Sequence, residues 1–546
     1  MKKKSVDILV SGMKKEVKRS TEGLKSPRHP KPYFISYLVR DVDSFNAWAR
    51  YGALNHQKSD HTRQCYADVR VGSYAYDQVT KGGLSDNSDE EESYELIDLP
   101  VEDDEDSLRF CLWRLTDAKY REAVKAYHNR KARDVSFLDE NKKLASFSAR
   151  KKAQSRDSLK RLSVDKEKVI KLIKKLSKLF KDFSHIKNAY VEFSADLETK
   201  IFVSSEGVER VWQVFNYQLT IYMWHLTKKS NEDASLVYHF SDLDELPSFS
   251  TVKKEILERV EILSEFDQAD LLTSYAGPVL LSPKAAGLLI HEVAGHRLEG
   301  SRLLSDDEGR TFKDKIGKKI MHEGLSLYDD PSLKSWKGRS LVGAYKFDDE
   351  GCPPEKVTLV EDGVLRGFLN TRSPCMKKSV ASNGHARNQN FERPISRMAN
   401  LVIQSKGGKA FAELKKDLIE EIKRRKIPFG IILYDVEGGE TGTEAYNFQA
   451  FMGEITLAVK VFPNGKEKYV RGVDFVGTPL SSLNHIVAVG NEQYVDNGYC
   501  GAESGTIPVS TVAPSLLLSN LELQAKDPTK VTQYKLPLPW FDSKKK

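Results

Sequence analysis

At 546 residues, with 40% hydrophobic and 30% charged residues, the chain has the length of roughly two to four domains and the balance of a globular protein, which excludes the disordered and small disulfide-stapled classes. A formal net charge of +7 is small for this length and gives no ground for nucleic-acid or membrane-surface binding. No apolar run reaches the roughly 18 residues of a membrane helix, the N-terminal run is too short for a secretory signal, and five scattered cysteines (Cys65, Cys111, Cys352, Cys375, Cys500) form no disulfide framework, so a cytoplasmic protein is expected.

In chain order, residues 1–30 are rich in Lys and Arg and read as a flexible lead-in. "PYFISYLVRDV" (32–42) and the alternating "YADVRVGSYAYDQV" (66–79) read as strands. The acidic "SDNSDEEESYELIDLPVEDDED" (85–106) reads as a loop with a strand at "YELIDL", and 107–133 has helical spacing. In the basic stretch 150–183, Val169, Ile170, Leu172, Ile173, Leu176, Leu179 and Phe180 fall mostly on one stripe, the pattern of a surface helix burying one face; a helix lying on a membrane is the other reading. Residues 187–226 hold strand-like runs broken at "DLETK" and "SSEGVER", and 251–266 read as a helix, followed by a strand at "SYAGPVLLSP".

A domain boundary is expected near 250–275, after which glycine becomes frequent and short β-runs dominate. The organisation expected is α+β: a mixed N-terminal domain over 31–265 with acidic and basic surface segments, then a β-rich domain over 266–540. Within the second, hairpins turn at Asp362-Gly363 and near Asn464-Gly465, and 409–426 form an amphipathic helix with Phe411, Leu414, Leu418, Ile419 and Ile422 inward.

The chemistry concentrates in "GLLIHEVAGHRLEG" (287–300), an H-E-x-x-x-H pattern at His291, Glu292 and His296. Ser282 can cap a helix that Pro283 opens and Gly300 stops. On an undistorted α-helix, residues five apart stand about 140° apart around the axis, too far for two imidazoles to share one ion; a single widened π-type turn removes most of that gap. Gly287 and Gly295 each weaken a regular helix by about 1 kcal/mol, which fits a deformation or the close passage of another backbone. Glu292 points about 100° away from His291, toward a water in a metal's open position rather than toward the metal, the place of a general base. Glu299, three residues past His296, is a further ligand or a partner orienting an imidazole. A catalytic zinc needs a third protein ligand, and Cys500, between Gly498 and Gly501, is the best remote candidate. The bland alternatives are two chance histidines and a buried structural thiol; His322-Glu323 shows that a His-Glu pair also occurs without a second histidine.

"HEVAGHRLEG" resembles the HExxxH segment of the TldD/PmbA family of metallopeptidases, and further stretches match in order: "EDGVLRGFLNTR", "SNGHARNQNFERPISRMANLVI" (382–403), "GTPL…VGN" and "GYCGAESGTIPVSTVAPSLLL". The resemblance covers about 270–525. It implies Zn²⁺ bound by His291, His296 and Cys500, Glu292 as general base, hydrolysis of unfolded or flexible peptides, and a homodimer or a heterodimer with a PmbA-like subunit enclosing the site. Members of the PmbA type lack the histidine motif, so the chain looks TldD-type. The competing reading is a non-catalytic partner or chaperone-like peptide-binding subunit, against which the intact Glu292 argues. His385 and Tyr446 are secondary candidates at the site, and Arg387, Arg393 and Arg397 receive no catalytic role. Neither nucleic acid nor membrane is expected as a partner.

Overall fold

A computed structural model describes residues 3–25, 27, 29–79, 98–136, 144–305, 308–376, 381–389, 392–444, 450–526 and 534–541. The fold is α+β. Helix α1 (Lys3–Gly23) precedes a hairpin of two long strands, β1 (Pro32–Arg50) and β2 (Ala53–Val71), and then α2 (Glu105–Ser136). A short β3 (Ala153–Arg156), α3 (Lys166–Lys178), β4 (Ile186–Ser204), β5 (Val208–Leu226), β6 (Asn231–Phe240) and α4 (Phe249–Glu265) follow. The six strands form one sheet in the order β2-β1-β4-β5-β3, with β6 on β5. Alternation sends Ile35, Tyr37, Val39, Phe45, Ala47 and Ala49 of β1 to one face, where the helices cover them. The opposite face carries Leu38, Phe202 and Trp212, which meet Phe347 of the C-terminal half.

Three expectations are corrected here. Residues 3–23 are not a frayed lead-in: Val6, Leu9, Val10, Met13 and Val17 recur at helical spacing and are buried, while the intervening lysines mask the stripe in composition. β4 runs unbroken through "DLETK", because Asp196, Glu198 and Lys200 alternate with buried Ala195, Leu197 and Ile201. β2 begins at Ala53, well before the alternating run at 66, since its outer half is exposed and polar. Residues 85–97 of the acidic stretch, most of "YELIDL" among them, lie outside the described residues. Among the described residues, no helix is long and apolar enough to cross a membrane.

The C-terminal half contains β7 (Ser274–Leu281), α5 (Pro283–Ile290), β8 (Asn400–Ser405), α6 (Phe411–Arg425), β9 (Gly430–Thr441), β10 (Phe451–Val461), β11 (Ile486–Ala502) and β12 (Gly505–Ala525). Among the described residues these strands and six shorter ones make a twelve-stranded sheet. β12 is its spine, pairing antiparallel with β7 and β11 and parallel with β8. Leu280, Ile432, Val459 and Leu517 face Leu414, Leu418 and Ile422 of α6 on one side. Val279, Leu281, Leu433, Leu516 and Leu518 pack with Leu289, Ile290, Val293 and Ala294 on the other. The expected hairpin at Asp362-Gly363 is present with both residues at positive φ, 46° and 77°, the left-handed pair that a tight two-residue turn requires.

The wall of the sheet beside α5 is held by small residues. A Cβ on Gly453, which pairs with Gly439, would stand 1.9 Å from Cζ of Phe475. Gly453→Ala is therefore expected to destabilise the protein by about 1–3 kcal/mol, seen as a lower urea midpoint, and Phe475→Leu in the same chain should recover part of the loss; an unchanged midpoint would contradict this packing.

Candidate metal centre

Ser282 caps α5 by accepting from the Ala285 amide, and Pro283 occupies its first turn. The helix does not continue regularly to Gly300. From His291 to Gly295 it widens into a π-turn, then tightens into a single 3₁₀ turn from His296 to Leu298. Two close approaches fix it in place. A Cβ on Gly287 would lie 3.2 Å from Cγ2 of Thr511 on β12, and one on Gly295 would lie 2.2 Å from Sδ of Met398. Arg297 ties the widened turn to the sheet, donating to the Glu292 carbonyl at 2.6 Å, Thr441 Oγ1 at 2.9 Å and the Gly442 carbonyl at 3.0 Å.

The widened turn brings the two imidazoles together, with ring centroids 5.0 Å apart and planes 88° to one another. β11 delivers Cys500 between them: its Sγ lies 3.3 Å from Nε2 of His291 and 3.4 Å from Nε2 of His296. All three residues are buried, and the three donor atoms fall within 4.8 Å of one another. In a tetrahedral zinc site with Zn–N near 2.05 Å and Zn–S near 2.3 Å, nitrogen and sulfur ligands stand roughly 3.5 Å apart. The donor set and its spacing thus fit one zinc ion.

A layer of charged groups holds these donors. Glu299 faces Nδ1 of His296 at 3.1 Å, leaving Nε2 toward the sulfur, so it orients the imidazole and is not part of the donor set. Glu299 in turn accepts from Arg302 Nε at 3.1 Å. Its carboxyl is held at about 2: burial opposes ionisation, but His296, Arg302 and Arg397 outweigh it. Arg397, fully buried, donates to the Cys500 carbonyl at 2.7 Å and to its sulfur at 3.2 Å. Burial also works against the Cys500 thiolate, yet His296 and His291 hold the thiol well below its usual range. The reciprocal effect raises His296 well above its usual value, with Cys500 and Glu299 overcoming burial. A deprotonated sulfur is the form that binds a metal.

Glu292 lines the same cavity as the three donors, a cleft of about 680 Å³ between the two sheets. The cavity floor comes from β9 and β11, and β6 of the N-terminal sheet contributes Ser235, Val237 and His239. Gly439 leaves room for the glutamate, since a Cβ there would sit 3.1 Å from Cγ of Glu292. Of the secondary candidates, His385 is buried between Asn383 and Asp329, its Nε2 3.2 Å from Asp329, and does not line the cavity. Arg387 donates to the Met398 carbonyl, and Arg393 pairs with Asp68 of the N-terminal sheet. Tyr446 lies outside the described residues. The roles of Arg297, Arg302 and Arg397 were not legible in sequence; the i,i+3 spacing of Glu299 and Arg302 was the one available signal.

Among known proteins, residues 274–525 match the family model described as the PmbA/TldA metallopeptidase C-terminal domain. A metalloprotease of Archaeoglobus fulgidus is 33% identical over 270 residues, covering 49% of this chain and 57% of that protein. A zinc metalloprotease TldD homolog of Saccharolobus solfataricus is 28% identical over 247 residues, covering 45% of this chain and 51% of that protein. The chain thus spans about half the length of the curated relatives it matches. In three dimensions it resembles the crystal structure of TldE from Thermococcus kodakarensis, with a TM-score of 0.61 and 16% identity over 94% of this chain and 100% of that one, which shows a common fold.

The depressed Glu299 carboxyl has a signed consequence. A carboxyl at about 2 in the folded protein and at 4.5 when unperturbed contributes stability that is present above 4.5 and is lost as pH falls toward 2. Metal-free protein should therefore lose stability as pH drops below about 4.5, and Glu299→Gln should flatten that decline by on the order of a few kcal/mol. Urea midpoints at pH 6, 4, 3 and 2.5 check this, the difference staying small at pH 4 and growing below it; parallel declines in the two proteins would contradict it.

Proposed function

We propose that the chain, a member of the TldD/PmbA family by its match over residues 274–525 and its metalloprotease relatives, is a zinc-dependent metallopeptidase that hydrolyses peptide bonds in unfolded or flexible chains. One observation carries the reading: two imidazole nitrogens and a cysteine sulfur converge on one point at the wall of a cleft that Glu292 also lines. His291, His296 and Cys500 would hold the ion and leave a fourth position open, the pattern of a catalytic rather than a structural site. Bound zinc supplies Lewis acidity, which brings the ionisation of a water near neutrality and makes a peptide carbonyl more electrophilic.

The remaining work belongs to the chain's own residues. Glu292 accepts the proton that the attacking water gives up and returns it to the departing amine. The water oxygen becomes part of the new carboxylate, and the C–N bond breaks. Glu299 keeps His296 in one tautomer, and Arg397, donating to the Cys500 carbonyl and sulfur, keeps the sulfur aimed at the imidazoles. Beyond β12, β11 has no strand partner among the described residues except a single bridge from Lys409 at Gly490, so an extended peptide could pair with the edge beyond that bridge, a mode that reads main chain rather than sequence. A homodimer or a heterodimer with a PmbA-like subunit, and a cytoplasmic setting, belong to the same proposal. The non-catalytic reading leaves Glu292 without a purpose, since a purely structural zinc site gains nothing from a carboxylate base beside it.

Glu292→Gln should lower kcat on a denatured peptide by about 100-fold or more while zinc stoichiometry stays at the wild-type value. Cys500→Ser should lose zinc on dialysis against a mild chelator that the wild type withstands. Activity retained in the first variant, or full zinc retention in the second, would overturn the assigned roles.

A further inference from the structure

The cavity beside the metal centre is unevenly charged. Three of its lining residues are cationic groups already engaged: Lys284 donates to Asp435 at 2.7 Å, Arg259 is bonded to the same carboxylate, and Arg302 is held by Glu299 and Glu503. Asp496, Glu437 and Glu440 also line it, and none of them has a hydrogen bond or an ion pair to its side chain among the described residues. A cleft lined by an excess of one sign of charge focuses its field and concentrates ligands of the opposite sign.

Asp496 is the best placed of the three. On β11, alternation puts Asp496, Gly498 and Cys500 on one face, and both Asp496 and Cys500 reach the cavity. The two are four residues apart, roughly 13 Å along the strand. Between them lies Gly498, where an added Cβ would meet nothing within 4 Å, and Gly438 of β9, which also lines the cavity, is equally open. The strand therefore presents a sulfur at one end of an open trough and, at the other, a carboxylate with no bonded partner among the described residues.

We propose that the cavity selects peptides carrying a cationic group, and that Asp496 receives that cation while the scissile bond lies at the metal centre. The inference rests on the peptidase reading for its substrate class. An extended peptide rises about 3.3 Å per residue, as the strand does, so the cation falls a few residues from the cleaved bond. Burial pushes the Asp496 carboxyl up and Asp435 adds to this, with Lys284 and His291 pulling the other way. A half-buried carboxylate without a bonded partner gains most from an incoming donor. Glu437 and Glu440, more exposed on β9, add attraction over a longer range. Neutral or acidic peptides would leave Asp496 unpaired or repelled.

The test uses zinc-loaded full-length protein carrying Glu292→Gln, so that binding is read without cleavage. Fluorescent extended peptides of one sequence, with Lys, Gln or Glu at each position in turn and with free or acetylated N-termini, are titrated by anisotropy. The expected result is binding in the order Lys, Gln, Glu, with at least about tenfold between the first and last at the best position. Adding Asp496→Asn should compress that ratio to about threefold or less while zinc content is unchanged. If acetylation abolishes the preference, the cation is the peptide's own amino terminus; if it does not, the cation is a side chain. Equal binding of Lys and Glu peptides, or a ratio untouched by Asp496→Asn, would overturn the inference. Charge-selective binding together with a wild type that cleaves none of these peptides would instead sink the peptidase reading and leave the selectivity standing.

Discussion

The constraint on which the rest of the site depends is that a helical segment and a strand 200 residues later must place three donor atoms on one point. His291 and His296 are five residues apart, a spacing that a regular helix splays to about 140°. The π-turn from His291 to Gly295 cancels the splay. Such a turn forgoes regular hydrogen bonding and persists only where surroundings over-determine it. Here they do: Gly295 abuts Met398, Gly287 abuts Thr511 and Ala513, and Arg297 bonds the Glu292 carbonyl to the end of β9.

The second requirement is electrostatic. Burying a thiolate, two imidazoles and a carboxylate in one place is costly unless each is paired. The structure meets this with alternating charge: Glu299 between His296, Arg302 and Arg397, and Arg397 between Glu299 and Cys500. This shell is anchored in β11, in the loop before β8 and in the turn that follows the widened helix, so the central sheet sets its geometry. Cys500 reaches the imidazoles because β11 is registered on β12, residue 500 opposite Ile507, and the α5 helix lies on the same β12. One strand thus positions both halves of the donor set.

Much of this was legible in the residues. The spacing of the histidines demanded a deformed helix, the glycines marked where another element could come close, and the Gly-flanked Cys500 was the natural third donor. The Asp-Gly and Asn-Gly hairpins and the amphipathic α3, α4 and α6 followed from periodicity. What escaped has physical reasons. Helix α1 was hidden because lysines dominate its composition, although Val6, Leu9, Val10, Met13 and Val17 carry its buried stripe. β4 looked interrupted because charged residues occupy its alternate positions. The roles of Arg397 and Asp496 depend on partners remote in sequence, or on having none, which no local pattern encodes; for Arg302 the sequence shows the Glu299 pairing but not Glu503. The sequence leaves Glu299 as either ligand or orienting group, and only its place on the Nδ1 side of His296 separates the two.

The most direct measurement of the central claim is zinc K-edge X-ray absorption on the purified, zinc-loaded chain. One sulfur at ~2.3 Å and two imidazole nitrogens at ~2.0–2.1 Å are expected, with a remaining light-atom neighbour that an added small anion can replace. A spectrum with no sulfur neighbour, or with four non-exchangeable protein ligands, would contradict it.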